Sequence, residues 1–533
     1  MAISKRILLA GAFSGIVLCA NAQSGNRYAD VQHYGFCIGL SDNSNRITGS
    51  ASVTVRFLRQ AGSFDLDLAG PGRGPGADSG MTVRSVRENG KDLSFTQERD
   101  AVHIENRVES GSTHTYVIGY GGIPRDGLII STDKFGSRTF FGDNWPNRAH
   151  QWLPCIDHPS DKASVEFTVT APDHYQVVSN GLKIEEAPLP GHLKRTHWVE
   201  KAALPTKVMV IGVAGFAIDH PADVQGIPVY TYVFPENRDA GFRSYAVAAG
   251  ILPFYIRMIG PYAYEKLANV QSKTIFGGME NASAIFYYES SVGARDIEEL
   301  MAHEIAHQWF GDAVTETGWQ HLWLSEGFAT YMTHLYMENK YGRDTLKSGM
   351  RADRKKVIAF ARIRQTAVVD TGVKANYMQL LNPNSYQKGG WVLHMLRRRL
   401  SDSIFWKGIR GYFAAYDGRN ANTADFQKAM EKASGQRLDG FFREWLYTPG
   451  LPVLEVSWTY DDAAGMLNMQ IAQTQEHLFT FPLEYSLGNG SGIHTIAVRG
   501  RKTIIRIPSP AKPVRVDLDP DVNLLADIHV QQN

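Results

Sequence analysis

Two histidines four residues apart carry the first chemical signal in this 533-residue sequence, within the stretch IEELMAHEIAHQWF. Positions i and i+4 of an α-helix share one face, so His303 and His307 direct two imidazoles toward one point. Zinc takes such nitrogen ligands, and a catalytic zinc has three protein ligands and a water. Glu304 is turned away from the ligand direction but lies near the open position, where a general base for that water belongs.

Glu326 is the candidate for the third ligand. It follows His307 after 18 intervening residues and opens a second helical segment, EGFATYMTHLYM. A five-residue motif with three fixed positions also arises by chance in long chains, and its members would then be polar residues on ordinary helices. A carboxylate within the apolar run LWLSEGFA is costly to bury without a partner, which favours the metal site.

The elements that must position these residues follow the order β, helical, β. Alternating apolar residues and closely spaced turns extend from about residue 27 to 216, with a hairpin predicted at Asn89-Gly90. Helical periodicity dominates the middle, and strands return after Pro452. We predict a multidomain α+β protein with a signal peptide at 1–22, an N-terminal β domain at 23–225, a catalytic domain at 226–450 and a small C-terminal β domain at 451–533.

Length and charge limit the class of protein. A single core rarely exceeds about 250–300 residues, so 533 residues predict two to four domains. The formal net charge of +1 gives no electrostatic basis for binding nucleic acid or an anionic membrane. We therefore expect no nucleic-acid partner.

The N-terminus has the pattern of a secretory signal peptide. Lys5 and Arg6 precede an apolar run of 14 residues, and the following ANAQ predicts cleavage after Ala22. The run is shorter than the roughly 20 residues that span a membrane. We expect an exported protein, periplasmic or secreted, with no integral membrane segment after cleavage. Cys37 and Cys155 would remain, and their spacing is compatible with one disulfide or with two separate thiols.

Three motifs in order resemble the M1 family of zinc aminopeptidases, the gluzincins that include aminopeptidase N and leukotriene A4 hydrolase. HEIAHQWFGD with LWLSEGFATY matches the zinc-binding segment, GGMEN at 277–281 the exopeptidase motif, and SYQKGGWVLHML the segment of the catalytic tyrosine, here Tyr386. The resemblance implies an N-terminal β-sandwich or saddle domain and a thermolysin-like, mainly α catalytic domain. After TPGLP it leaves room for a small C-terminal β-sandwich domain and no large C-terminal helical domain.

The resemblance implies a metalloprotease that hydrolyses N-terminal residues from peptides. His303, His307 and Glu326 would hold one Zn²⁺ per chain. Glu304 would be the general base for a metal-activated water, and Tyr386 together with zinc would stabilise the oxyanion.

The GGMEN motif implies the choice of substrate. Glu280 would pair with the free α-amino group and set the first peptide bond over the zinc. Gly277 and Gly278 would leave the backbone free to pair with a substrate strand, and Met279 and Asn281 complete the substrate-binding motif. The expected partners are peptides with a free N-terminal amine, and the sequence leaves the oligomeric state open.

Departures from the family pattern keep alternatives open. Many members have a second amine contact in the β domain, where alignment puts Trp145, so this contact is missing or comes from Asp143 or Asn144. The same metal site would serve an endopeptidase or another hydrolase if Glu280 did not anchor the amine. A non-catalytic protein that reuses the fold is disfavoured because the ligands, the base and the tyrosine are all present.

Overall fold

The computed structural model describes residues 28–72, 79–488 and 492–532. The predicted signal peptide at 1–22 lies outside these residues. Within the described part, no helix is both long and apolar enough to cross a membrane. Cys37 is exposed, Cys155 is buried, and both are free thiols, so the structure contains no disulfide between them.

The N-terminal part of the described chain consists of strands. They are β1 (Ala29–Ser41), β2 (Ser44–Phe57), β3 (Ala61–Asp67), β4 (Gly80–Glu88), β5 (Lys91–Asp92), β6 (Phe95–Glu98), β7 (Ala101–Val108), β8 (Thr113–Ile123), β9 (Leu128–Thr132), β10 (Arg138–Gly142), β11 (Ala163–Pro172), β12 (Gln176–Ser179), β13 (Leu182–Leu189), β14 (Leu193–Leu204) and β15 (Ile211–Ala214). These described strands form sheets of order β13-β14-β11-β1-β2-β8-β4-β5, β12-β15-β10-β9 and β3-β7-β6.

Alternation of side chains explains why these segments are strands. On β2, Val53, Val55 and Phe57 are fully buried while the residues between them face outward. The predicted hairpin at Asn89-Gly90 is confirmed: β4 pairs with β5 across it, and both turn residues have positive φ, 50° and 77°.

The middle part combines a sheet with helices. Its strands are β16 (Ala217–Val224), β17 (Ile227–Val233), β18 (Leu267–Ser272), β19 (Gly278–Met279), β20 (Ala284–Tyr288), β21 (Val314–Glu316) and β22 (Arg419–Ala421). Its helices are α1 (Arg238–Tyr245), α2 (Ala248–Met258), α3 (Ile297–His307), α4 (Trp323–Tyr341), α5 (Arg343–Ile363), α6 (Gly389–Leu400), α7 (Asp402–Tyr416), α8 (Thr423–Ser434) and α9 (Asp439–Phe442). The sheet has the order β16-β17-β18-β20-β19, which leaves β19 at one edge.

The sequence predicts one more strand after residue 216 and then a helical pattern, whereas this part of the described chain contains seven strands. Strands β18 and β20 are parallel and β19 is antiparallel to β20. All six residues of β18 are buried. A strand covered on both faces has no alternating pattern, so the sequence LANVQS could not be told from part of a helix.

Strands return after the helical part, as the sequence predicts. They are β23 (Val453–Asp461), β24 (Met466–Gln473), β25 (Phe481–Ser486), β26 (His494–Val498), β27 (Lys502–Pro508), β28 (Asp517–Leu518) and β29 (Asp527–Gln532). Among the described residues they form sheets of order β27-β24-β23-β29 and β26-β25-β28.

Buried polar bonds join the N-terminal strands to the middle part. The Lys207 ammonium pairs with Glu316 Oε1 at 2.7 Å, and both side chains are almost fully buried. Lys266 Nζ donates to the carbonyl oxygen of Ser179 at 2.8 Å. Apolar packing is also continuous here, because Val270 and Phe286 of the central sheet belong to the core of the N-terminal strands. The N-terminal part is therefore packed firmly against the middle part of the chain.

Candidate metal centre and active site

Helices α3 and α4 bring the three predicted zinc ligands to one point. His303 Nε2 and His307 Nε2 lie 3.2 Å apart, and each lies 3.3 Å from Glu326 Oε2. Ligand atoms at 2.0–2.1 Å from a tetrahedral zinc are separated by about 3.3–3.4 Å. The nitrogen and oxygen donors of this chain therefore fit one zinc ion in both type and spacing.

Contacts behind His307 fix the orientation of its ring. Its Nδ1 lies 3.0 Å from the carbonyl oxygen of Phe310 and 3.0 Å from Ser325 Oγ. A carbonyl oxygen only accepts, so Nδ1 carries the proton and donates it. In the neutral imidazole, Nε2 then directs its lone pair toward Glu326, as a metal ligand requires.

Negative charge is concentrated around the two imidazoles. Burial acts to lower the pKa of His307, but the carboxylates of Glu326 and Glu280 outweigh it and raise that pKa to about 10. Burial raises the pKa of Glu304 well above its ordinary value, and the neighbouring carboxylates add to the rise. Burial also acts to raise the pKa of Glu326, but the two imidazoles lower it. Such a site favours a bound cation.

The side chain of Glu304 extends from α3 toward the edge strand β19. It is buried, and a Cβ added at Gly278 would lie 2.3 Å from Glu304 Oε1 and 2.5 Å from its Cδ. The backbone of β19 therefore packs directly on the carboxylate of the predicted base. Only glycine leaves this space, which explains the residue at position 278 in steric terms.

Glu280 follows β19 and faces the same group of donors. One oxygen each from Glu280 and Glu304 and one nitrogen of His307 lie within 4.8 Å of one another. Glu280 is 5 % exposed, and burial is the first cause that raises its pKa. Its Oε1 is buried and has no hydrogen-bond partner among the described residues.

The backbone next to Glu280 is held by Gln308, the residue that follows α3. Gln308 Nε2 donates to the Glu280 carbonyl oxygen at 2.7 Å and to Asp312 Oδ2 at 2.9 Å. Asn281, the last residue of the predicted motif, is fully buried and does not line the cavity, and within the described part neither polar atom of its side chain has a partner.

Tyr386 reaches the site from a short π-helix, Asn384–Lys388, before α6. Its ring stacks near His303 with ring centroids 6.1 Å apart and an interplanar angle of 12°. Burial raises the pKa of its hydroxyl well above the ordinary value. The close approach of Gly327 on α4 and Gly389 on α6 allows this placement, since a Cβ on Gly327 would lie 2.8 Å from the Gly389 Cα.

A cavity of about 310 Å³ connects these groups. Nine of the ten predicted site residues line it, Asn281 being the exception. A further group of lining residues is apolar: Trp145, Phe276, Leu300 and Leu381. Of these, only Trp145 was singled out by the resemblance to the family.

Asp143 and Asn144, the alternatives for a second amine contact, have other partners. Asp143 Oδ2 accepts hydrogen bonds from Thr274 Oγ1 at 3.0 Å and the Ile275 amide at 2.9 Å. The Asn144 amide donates to the carbonyl oxygens of Thr206 and Met209. Neither side chain lines the cavity, whereas Trp145 does.

Comparisons with known proteins agree with this arrangement. The model of the peptidase family M1 domain matches residues 244–445, and that of the peptidase M1 N-terminal domain matches residues 32–208. The chain is 28 % identical over 479 residues to probable aminopeptidase 2 of Sulfurisphaera tokodaii, covering 83 % of this chain and 58 % of that protein. It is 26 % identical over 406 residues to leucyl aminopeptidase of Saccharolobus solfataricus, covering 71 % and 50 %. The chain thus spans about half the length of these relatives.

Proposed function

Because the chain belongs to peptidase family M1, we propose that it is a zinc-dependent aminopeptidase that hydrolyses N-terminal residues from peptides. The observation that carries this proposal is the triangle of ligand atoms on His303, His307 and Glu326, with edges of 3.2 and 3.3 Å, on a cavity that Glu304 and Glu280 share. The three ligand atoms would form the metal site, the Glu304 carboxylate would be the base, and the Glu280 carboxylate would anchor the substrate amine.

The reaction divides between the metal and the side chains around it. Zinc, when bound by His303, His307 and Glu326, supplies a Lewis acid that polarises the peptide carbonyl and makes water more acidic. Glu304 takes the proton from the attacking water and passes it to the leaving amine. The hydroxyl of Tyr386 donates a hydrogen bond to the oxygen on which charge develops.

Glu280 makes the enzyme an exopeptidase. A substrate α-amino group with a pKa of about 7.7–8.0 is largely cationic near neutral pH. Its ammonium pairs with the Glu280 carboxylate, which lies close to Glu304 and His307. An internal peptide bond brings no such charge, and its backbone would leave the buried carboxylate without a partner.

The direct test is a panel of aminoacyl arylamides, each supplied free and N-acetylated. We expect the zinc-loaded protein to release arylamine from free substrates only, a chelator to stop release, and added zinc to restore it. If every free substrate stays intact with zinc present, the proposal is wrong. Equal cleavage of acetylated substrates would instead indicate an endopeptidase or another hydrolase.

A second test isolates Glu304. The variant Glu304→Gln keeps the shape of the side chain and removes its basicity. We expect kcat to fall by about 10²–10⁴-fold, while zinc content by atomic absorption stays at one ion per chain. Unchanged turnover would remove Glu304 from the role of base.

A further inference from the structure

Trp145 forms one wall of the cavity in which the N-terminal residue of a substrate would lie. It is 2 % exposed, and its indole nitrogen is buried from the cavity surface, so the cavity meets ring carbon. The ring packs edge-to-face against Phe276 at 5.8 Å and against Trp319 at 5.7 Å between centroids. The wall is therefore rigid and apolar.

Polar groups on the far side of this wall hold it in place, and their hydrogen-bonding atoms are already engaged with one another or with the backbone. Arg148 donates from Nε to the Trp145 carbonyl oxygen and pairs with both Asp143 and Asp126. Asp143 in turn accepts from the backbone amide of Ile275 and so ties down the loop that carries Phe276. The guanidinium of Arg148 lies 5.9 Å from the Phe276 ring centroid, with all three of its nitrogens engaged.

The cavity offers no charge to a substrate side chain beyond the groups that have a role in the reaction. Its described lining contains no lysine or arginine, and its acids are Glu280, Glu304 and Glu326. An acidic side chain would enter a negative cavity without a cation to pair with. A basic side chain would lose its hydration against Trp145, Phe276 and their neighbours without a free carboxylate.

We propose that the substrates are peptides whose first residue has a neutral, apolar side chain, and that Trp145 is the specificity-determining residue for this class. This inference rests on the proposed aminopeptidase function and adds the identity of the residue removed. A polar residue at position 145 would help to hold the substrate amine. Trp145 cannot do so, which leaves the amine to Glu280, and its ring presents an apolar surface to the side chain of the first substrate residue.

Binding tests this inference without turnover. The zinc-loaded Glu304→Gln protein is titrated calorimetrically with leucinamide, phenylalaninamide, lysinamide and the α-amide of glutamate. We expect the two apolar amides to bind at least about 100-fold more tightly than the glutamate amide and at least 10-fold more tightly than lysinamide. Dissociation constants within threefold of one another, or tighter binding of a charged amide, would overturn the inference.

Two substitutions assign the selectivity to Trp145. Trp145→Phe keeps an aromatic wall and should retain most of the preference for apolar amides. Trp145→Gln should reduce the ratio of the glutamate-amide dissociation constant to the leucinamide dissociation constant at least tenfold. Trp406→Gln, on α7 and outside the cavity lining, is the matched control and should leave the ratio unchanged. Thermal melts establish that each protein is folded. An unchanged ratio in a folded Trp145→Gln protein would remove Trp145 from this role.

The two proposals fail in different measurements. If the wild-type protein with zinc cleaves no arylamide, the proposed function is wrong whatever binds. If it cleaves arylamides but the amides bind without preference, the function stands and the substrate class is wrong.

Discussion

At the scale of single residues, the proposed function depends on how few groups would surround the substrate amine. Glu280 provides one carboxylate, Trp145 provides none, and both Asp143 and Asn144 are engaged elsewhere. In the proposed function, the buried carboxylate of Glu280 therefore holds the ammonium without a second anchor. Its contribution should be correspondingly large, because the other two carboxylates of the described cavity lining, Glu304 and Glu326, have the roles of base and metal ligand in the proposed function.

Replacing Glu280 by glutamine tests this dependence. Gln keeps the size of the side chain but exchanges a charged pair for a neutral hydrogen bond. A hydrogen bond to a charged group contributes about 1.5–3 kcal/mol, so we expect kcat/KM for free arylamides to fall by about 10- to 100-fold. Steady-state kinetics on free and N-acetylated substrates give the comparison.

The same variant contains its own control. Cleavage of N-acetylated substrates, however slow, should be unaffected or improved by Glu280→Gln, since they bring no ammonium to the carboxylate. An equal loss on both substrate forms would contradict the role of Glu280 as an amine anchor.

Gly278 gives a second residue-scale prediction. A methyl group there would lie 2.3 Å from Glu304 Oε1, so the carboxylate must move. A displacement of about 1 Å in a catalytic group can cost about 10²-fold in rate, and we expect such a fall in kcat for Gly278→Ala. At Gly277 the added methyl meets only Leu300, at 4.0 Å, so Gly277→Ala should lose much less. Similar losses in both would show that the position of Glu304 is not the cause.

Sequence could predict residues inside motifs but not residues that meet them from elsewhere. His303 and His307 follow from helical spacing, because i and i+4 share a face whatever the rest of the chain does. Phe276 and Leu381 have no such local rule, and their place in the cavity depends on packing between segments about one hundred residues apart. Likewise, the partners of Asp143 lie 131 and 132 residues further along the chain, at Thr274 and Ile275, where no local rule connects them.

At the scale of elements, two glycines determine how closely α4 approaches the segment that bears Tyr386. A Cβ on Gly327 would lie 2.8 Å from the Cα of Gly389 and 3.1 Å from the carbonyl oxygen of Ser385. The contact is backbone against backbone, so no side chain can move aside. It lies next to Glu326 on one element and near Tyr386 on the other.

Gly327→Ala should therefore separate these elements. Overpacking of this kind costs about 1–3 kcal/mol, and we expect that loss in the free energy of unfolding together with a clear fall in kcat. Gly411→Ala is the matched control: it lies within α7, where an added Cβ meets nothing within 4 Å. It should stabilise by about 0.5–1 kcal/mol. Urea unfolding and kinetics on both variants decide, and wild-type kcat in Gly327→Ala would contradict the prediction.

Helices were easier to predict than strands in the middle of the chain. Helices α3, α4 and α6 follow from periodicity in the sequence around the motifs. Strands β18 and β20 did not, because a short buried strand lacks alternation. The π-helix at Asn384–Lys388 has no sequence rule either, and such turns often occur at functional sites.

At the scale of the whole molecule, buried charges connect the N-terminal strands to the helices that hold the site. Lys207 and Glu316 form a pair with side chains 1 % and 0 % exposed. Lys162 Nζ donates to the carbonyl oxygens of Asp312 and Ala313 at 2.9 and 2.8 Å. These contacts are made by residues just after α3, so the position of α3, which carries His303 and His307, depends on the N-terminal part.

Lys207→Met should be strongly destabilising because it leaves Glu316 buried without its cation. Removing one partner of a buried pair costs about 3–5 kcal/mol. The double variant Lys207→Met with Glu316→Leu removes both charges and should recover most of this loss. Denaturant unfolding of the two single variants and the double variant forms a thermodynamic cycle. If the loss in the double variant equals the sum of the losses in the two single variants, the pair is not coupled.

Lys207 is synthesised well before Glu316, its partner in the buried pair. Its members are 109 residues apart in the chain, and ribosomes add about 5–20 residues per second. During synthesis, Glu316 is therefore added roughly 5–20 seconds after Lys207. For that interval the newly made strands present an unpaired lysine and an uncovered apolar face to the surroundings of the ribosome.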